Sequence, residues 1–263
     1  MIINTELKQI INILERFAPP RIASFDNQGI IVDFETPQKI TKIALTLDPT
    51  LKAINQAIRE KCQMIITHHG IREDGMKELS ILDNKRIKLA KDNNIIIFRM
   101  HLNLDFCKNG IQKQFCKIIG LNNALPVTTT YEGHILKTGA FIFTSGITLD
   151  KIVKNIKELS PSSIRIFNPH NGIFKRVAIT AGEGMPEDFI EQLHPDLFIS
   201  GEFNHFAMLR AQDLDITLIE ITHFASENTS LKMIAKEFTR LLKIPIIHID
   251  SMDPELLSNL SVK

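Results

Sequence analysis

Four short stretches of this 263-residue chain set imidazoles and carboxylates at spacings that suit proton transfer or metal ligation. They are Thr67-His68-His69-Gly70, His101-Leu102-Asn103-Leu104-Asp105, Glu202 with His205, and His223-Phe224-Ala225-Ser226-Glu227. Imidazole and carboxylate donors without a thiolate suit Zn, Mn, Fe or Ni at a reactive site better than a structural zinc. Spacing alone carries little weight. With nine His and 30 acidic residues, a histidine followed four positions later by an acid is expected about once by chance, and it occurs three times, counting His69 with Glu73.

The elements around these residues add the missing weight. Short apolar runs at Ile40–Leu47, Met64–Thr67 and Ile95–Met100 alternate with helical patterns over about 49–61, 80–91 and 109–119. That alternation is the signature of a parallel sheet covered on both faces, and it makes the fold class α/β. A first helix ends at Pro19-Pro20, because proline lacks the N–H and restricts its predecessor. After a polar, Thr-rich stretch at 125–139 the pattern resumes. Strands are expected near 138–144, 163–167, 176–180, 197–200, 216–222 and 246–249, with helices near 149–159, 185–193, 202–214 and 226–242. The expected division is an N-terminal α/β domain over 1–126 and a second over 127–263, with the C-terminal helix and strand, about 226–263, able to pack back on the first.

Ligands of open parallel sheets bind beyond the carboxyl ends of the strands. His68 and His69 end one strand, His101 a second and His223 a third, and Glu202 follows a fourth. A site there collects His68, His69, Asp105, His223 and Glu227. So many donors suit two ions bridged by a carboxylate. Other readings of the same residues stand beside this one. A strand-end histidine is often a satisfied core or capping residue, Glu227 behind Ser226 suits a helix N-terminus, and Asp105 suits a turn. Glu202 and His205 read as helix-start capping, and Asp26-Asn27-x-Gly29 as a turn. His134, His170, His194 and His248 give no reason to prefer ligation.

Composition narrows the classes. At 44% hydrophobic and 23% charged the chain has the balance of a folded globular protein, and a net charge of +1 without a like-charge block gives no nucleic-acid signature. The N-terminal MIINTELKQIINILERF reads as an amphipathic helix and lacks the parts of a secretory signal, and no apolar run reaches membrane-span length. Cys62, Cys107 and Cys116 show no CxxC spacing, so a reduced cytoplasmic setting is expected. P-loop, GxGxxG and GxSxG motifs are absent from the sequence.

In order along the chain, Asp26-Asn27-Gln28-Gly29-Ile30, Thr67-His68-His69-Gly70, His101-Leu102-Asn103-Leu104-Asp105, Ser200-Gly201-Glu202 and His223-Phe224-Ala225-Ser226-Glu227 resemble the motifs of the Nif-three-like family, also labelled GTP cyclohydrolase I type 2 homologues. The resemblance covers nearly the whole chain. It implies two interlinked α/β domains with mostly parallel sheets, a dinuclear divalent-metal site in the cleft between them, and a toroidal homohexamer. Carried over by residue, the ligands are His68, His69, Asp105, His223 and Glu227, with Glu227 the bridge and His101 a proton donor or acceptor. Glu202 matches a motif with no assigned role. Phe224 stands where some relatives carry a second histidine. Two function classes follow. One is a metal-dependent hydrolase acting on a small molecule such as a nucleotide, with a metal-bridging hydroxide as nucleophile. The other is a metal-dependent chaperone or interaction scaffold without turnover.

Overall fold

A computed structural model of the chain describes residues 5–33, 39–72, 78–131, 133–183, 186–250 and 253–254. Glu73, the acid paired by spacing with His69, lies outside them. The chain divides into two compact units, Met1–Cys107 with Leu231–Ser251, and Lys108–Ser230 with Met252–Lys263.

The first unit is built on a five-stranded sheet. Strands β1 (Gly29–Val32), β2 (Ile43–Thr46), β3 (Met64–Thr67) and β4 (Ile96–Arg99) lie in the order β1-β4-β3-β2, and Ile246–Ile249 adds a fifth strand outside β2. All pairings are parallel except β1 with β4. β2, β3 and β4 are buried at every residue, as expected of apolar runs covered on both faces, whereas β1 and Ile246–Ile249 are only partly buried, as befits edges. Helices α1 (Thr5–Phe17), α2 (Leu51–Arg59), α3 (Ile81–Asp92) and the short α4 (Leu102–Phe106) complete the N-terminal portion of this unit. Thr50 caps α2 by accepting from Ala53 N at 3.1 Å, which leaves the Asp48 carboxylate available elsewhere. Ser80 and Asp83 form a reciprocal capping box on α3. Ile54 of α2 packs into one core cluster with Ile65 of β3 and Ile97 of β4, and truncating such a residue to alanine costs about 2–5 kcal/mol.

The second unit has a six-stranded sheet in which parallel pairing is confined to the centre. β5 (Leu125–Tyr131) and β6 (His134–Phe143) form an antiparallel hairpin. Farther on come the small pair β7 (Ile147–Thr148) and β9 (Ile173–Phe174), with β8 (Arg165–Phe167), β10 (Val177–Ile179), β11 (Leu197–Ser200) and β12 (Thr217–Glu220). The sheet order is β5-β6-β10-β11-β12-β8, with β10-β11 and β11-β12 parallel and the other neighbours antiparallel. The polar Thr-rich stretch at 125–139 is therefore not a connector. Val127 and the β-branched threonines favour a strand with one exposed face, and the hairpin supplies its backbone partners. Helices α5 (Ile111–Ile118), α6 (Leu149–Lys157), α7 (Pro186–Leu193) and α8 (His205–Asp213) accompany this sheet, and α9 (His223–Leu242) begins in this unit and ends in the first. In chain order Ile246–Ile249 is β13. Among the described residues no helix is long and apolar enough to cross a membrane.

Candidate metal centre

In the first unit the hydrogen-bond ladder outruns the strands and fixes the backbone of the histidine pair. His68 N donates to Thr46 O at 3.2 Å and His69 N to Leu47 O at 2.9 Å, while Met100 N donates to Thr67 O at 2.9 Å. Because β3 stops at Thr67, its pleat does not send the two rings to opposite sides. Their centroids are 4.8 Å apart, and the His101 ring lies 5.0 Å from that of His68 and 5.7 Å from that of His69. The three side chains each place a ring nitrogen within 4.8 Å of the others, close enough to share an ion.

The second nitrogen of each ring reveals how the first is presented. His68 is fully buried, and its Nδ1 lies 2.9 Å from the Met100 carbonyl, which only accepts, so the proton of the neutral ring is on Nδ1. Its Nε2 lone pair then faces Asp105 Oδ2 at 3.6 Å. Two electron-rich atoms at that separation gain from a cation between them. His69 Nδ1 lies 2.8 Å from Asp48 Oδ1, which makes Nε2 the outward-facing donor of electrons in the same way. A histidine held through one nitrogen by a carbonyl or carboxylate is the usual support of a metal-ligating ring.

His101 is held differently. Its Nδ1 has two neighbours of opposite kind, Arg99 Nη2 at 2.8 Å, which can only donate, and Asp26 Oδ1 at 3.2 Å, which can only accept. Asp26 braces this arrangement. Its Oδ2 accepts from Leu102 N at 3.0 Å at the start of α4, and its Oδ1 lies 3.2 Å from His101 Nδ1 and 3.8 Å from Arg99 Nη2. Asp26, read from sequence as a turn residue, is thus a long-range support. Asp105, which also suited a turn, is buried within α4.

In the second unit His223 opens α9. Thr222 precedes it at φ +79, a conformation unfavourable for a β-branched residue, and is held from both sides. Its Oγ1 accepts from Ala225 N at 3.1 Å and donates to the buried Asp253 carboxylate at 3.1 Å. Thr222 is therefore the cap, not Ser226, whose hydroxyl donates to His223 O at 2.8 Å and accepts from Gly182 N at 2.9 Å. His223 Nε2 lies 3.1 Å from Glu227 Oε2 one turn on, and its Nδ1 lies 3.4 Å from Glu202 Oε1. Burial opposes charge on this ring, but Glu227 and Glu202 together outweigh it and raise its pKa to about 11. His223 Nε2 and the Glu227 carboxylate are a donor pair that suits a divalent cation. Gly182, at φ +65, makes room for this pair, since a Cβ there would collide with Glu227 Oε1 and come within 3.2 Å of His223 Nε2. Gly201 likewise has no space for a Cβ, which would lie 2.7 Å from Ser226 Oγ.

Glu202 does not start a helix. Asn204 caps α8 by accepting from Ala207 N at 2.9 Å, His205 is the first residue of that helix, and Glu202 pairs with His223 instead. His170 pairs with the exposed Asp215 at 3.0 Å on the surface. Asp48, Arg99 and Gly182 are supports that the sequence reading passed over. Asp48 follows β2 as His69 follows β3, so the rule that picked out the histidines would have found it.

A family model described as Duf34/NIF3 (NGG1p interacting factor 3) matches residues 5–254. The chain belongs to the Duf34/NIF3 family. It is 27% identical over 246 residues to the GTP cyclohydrolase 1 type 2 homolog of Methanocaldococcus jannaschii, covering 92% of this chain and 98% of that protein. It is 26% identical over 266 residues to the NGG1-interacting factor 3 of Saccharomyces cerevisiae, covering 89% and 91%. Among solved structures, reduced HcgD from Methanocaldococcus jannaschii superposes with a TM-score of 0.78 at 25% identity, over 95% of this chain and all of that one. A Bacillus cereus protein related to NIF3 superposes with a TM-score of 0.80 at 15% identity, over 94% and 97%, a likeness of fold. The α/β architecture with two helix-flanked sheets is that of the NIF3 superfamily.

Proposed function

We propose that this chain is a metal-dependent hydrolase in which His68, His69, Asp105, His223 and Glu227 hold two divalent ions of Zn, Fe, Mn or Ni, with Glu227 as the bridge. Each unit carries one half of the ligand set, and in this reading both halves serve the same pair of ions. The observation that supports it most is the presentation of the two neighbouring rings. His68 and His69 are tied through Nδ1 so that Nε2 offers a lone pair, while His101 Nδ1 is occupied by Arg99 and Asp26. The first two are set up as ligands, and the third takes the role of proton donor or acceptor. The ions, when bound, supply Lewis acidity and make water nucleophilic near neutral pH. His101 is the proton donor or acceptor for the reacting group, and Arg99 and Asp26 hold its ring in place.

A nucleotide is the substrate class to which the name of the relatives points, and a cytoplasmic homohexamer is the setting that goes with it. Elemental analysis of the purified protein, followed by a turnover screen with the metal found, tests the reading. Metal content falls sharply in His68→Ala and His223→Ala and is retained in His170→Ala. Equal content in all three would sink the ligand assignment. A fully metallated protein inert toward nucleotides, phosphoesters and amides would replace the hydrolase by a scaffold.

A further inference from the structure

After β13 the chain re-enters the second unit at Met252, and Asp253 is buried there. Its Oδ2 serves two hydroxyls at once, Ser162 Oγ at 2.7 Å and Thr222 Oγ1 at 3.1 Å. Those partners lie 91 and 31 positions earlier in the chain, so the cluster is made by the fold and not by local turn geometry. A carboxylate accepts only, which obliges both hydroxyls to point their protons at it. At Thr222 this decides more than one bond. A hydroxyl has a single proton, and with that proton committed to Asp253 its lone pairs are left for Ala225 N at 3.1 Å, the bond that caps α9.

Thr222 needs that hold. It sits at φ +79, a region that a β-branched residue leaves unless its surroundings keep it there. The next residue is His223, so any relaxation at Thr222 reorients the first turn of α9 and carries the imidazole away from Glu202 and Glu227, now 3.4 and 3.1 Å from its two nitrogens. A ligating ring must meet its ion at a fixed distance and angle, and supports beyond the ligands are what fix both. We propose that Asp253 is a positioning residue for His223: it acts through Thr222 to set the first turn of α9 and thereby the direction in which the imidazole is presented to metal. The effect on metal rests on His223 being a ligand, as proposed above; the hold on the turn does not.

Chelator competition with zinc as the probe measures the first, and amide hydrogen exchange of the metal-free full chain over residues 223–228 measures the second. Asp253→Ala is expected to bind zinc about 10–100-fold more weakly and to exchange faster in that segment, whereas Asp253→Asn, which keeps an acceptor oxygen, retains most of both. Thr222→Val deletes the same bond and replaces Asp253→Ala if that variant does not fold. Asp196→Ala is the comparison for a merely structural loss. The Asp196 carboxylate accepts from Lys175 N at 2.6 Å and Arg176 N at 2.9 Å, at the amino ends of β10 and β11, away from the carboxyl ends of β11 and β12, which lead to Glu202 and His223. That variant should melt earlier and keep its zinc affinity. Combining Asp253→Ala with His223→Ala should weaken zinc binding no further than His223→Ala alone, because one acts through the other. Unchanged affinity in Asp253→Ala, an equal loss in Asp196→Ala, or additive losses in the double variant overturns the positioning role and leaves His223 a ligand. Undiminished affinity in His223→Ala removes the ligand assignment instead; faster exchange over 223–228 in Asp253→Ala then upholds the hold on the turn, and unchanged exchange overturns it.

Discussion

Asp48 Oδ1 stands 2.8 Å from Nδ1 of His69, joining the residue that follows β2 to the histidine that follows β3. This bond selects the tautomer in which Nε2 is a lone-pair donor. Supports of this kind are worth about 10–100-fold in metal affinity. Asp48→Ala is expected to lose affinity within that range while the fold survives, because the backbone bond from His69 N to Leu47 O is independent of the carboxylate. Competition against a chromogenic chelator measures it. Unchanged affinity would separate His69 from the metal.

His101 and Arg99 make a contrasting pair. His101→Ala is expected to lower turnover by about 10²–10⁴-fold, the usual contribution of a positioned acid or base, and to leave metal content intact. Arg99→Met removes the guanidinium beside His101 Nδ1 and leaves it facing the Asp26 carboxylate, and should lower kcat with a displaced pH profile. A His101→Ala protein that lost its metal would instead make this ring a ligand.

Gly182→Ala introduces two penalties at one position. An alanine at φ +65 costs roughly 1–2 kcal/mol in the backbone, and its Cβ displaces the Glu227 carboxylate. Both the melting temperature and the metal affinity should fall. If stability drops but metal affinity does not, Glu227 is not a ligand.

His248 predicts a pH dependence away from the metal ligands. Burial holds its pKa down at about 4, with Lys232 adding to the depression and Asp250 opposing it. In the unfolded chain the ring takes up its proton near the ordinary value of about 6.5, whereas in the folded chain it stays neutral until about pH 4. Stability from this group is therefore fully present above about pH 6.5, is lost progressively as pH falls toward 4, and changes no further below that. Thermal unfolding of the metal-free protein across this window, compared with His248→Gln, isolates the contribution. Identical profiles for the two proteins would contradict it.

Much of the architecture was legible in the sequence, for identifiable reasons. Ile43–Thr46, Met64–Thr67 and Ile96–Arg99 are short apolar runs buried on both faces, which composition alone can express, and the histidines stand where such strands end. The strand expected near 138–144 is the second half of β6, but its partner Leu125–Tyr131 and the start of β6 were hidden, because antiparallel strands with an exposed face carry threonines and lysine that look like a connector. Asp26 and Asp48 were hidden differently. Their partners, His101 and His69, lie 75 and 21 positions away, and a turn reading explained Asp26 locally. The Thr222 cap was concealed by Ser226, a better capping residue by type, since only the left-handed backbone at Thr222 brings its hydroxyl to Ala225 N.

β13 occupies the place in the first sheet beside β2, in register from Ile246 with Ile43 to Ile249 with Thr46. Those partners are separated by roughly 200 residues, so at common synthesis speeds β2 waits some 10–40 s for its neighbour. Through that interval Ile43–Thr46 presents an apolar edge to whatever else is nearby. Birth of the protein on the ribosome therefore has a vulnerable phase, during which a chaperone or an early-folding second unit matters more than it does to the finished molecule. A nascent chain stopped before residue 246 should be more prone to aggregation and to proteolysis in its first hundred residues than one released after residue 250.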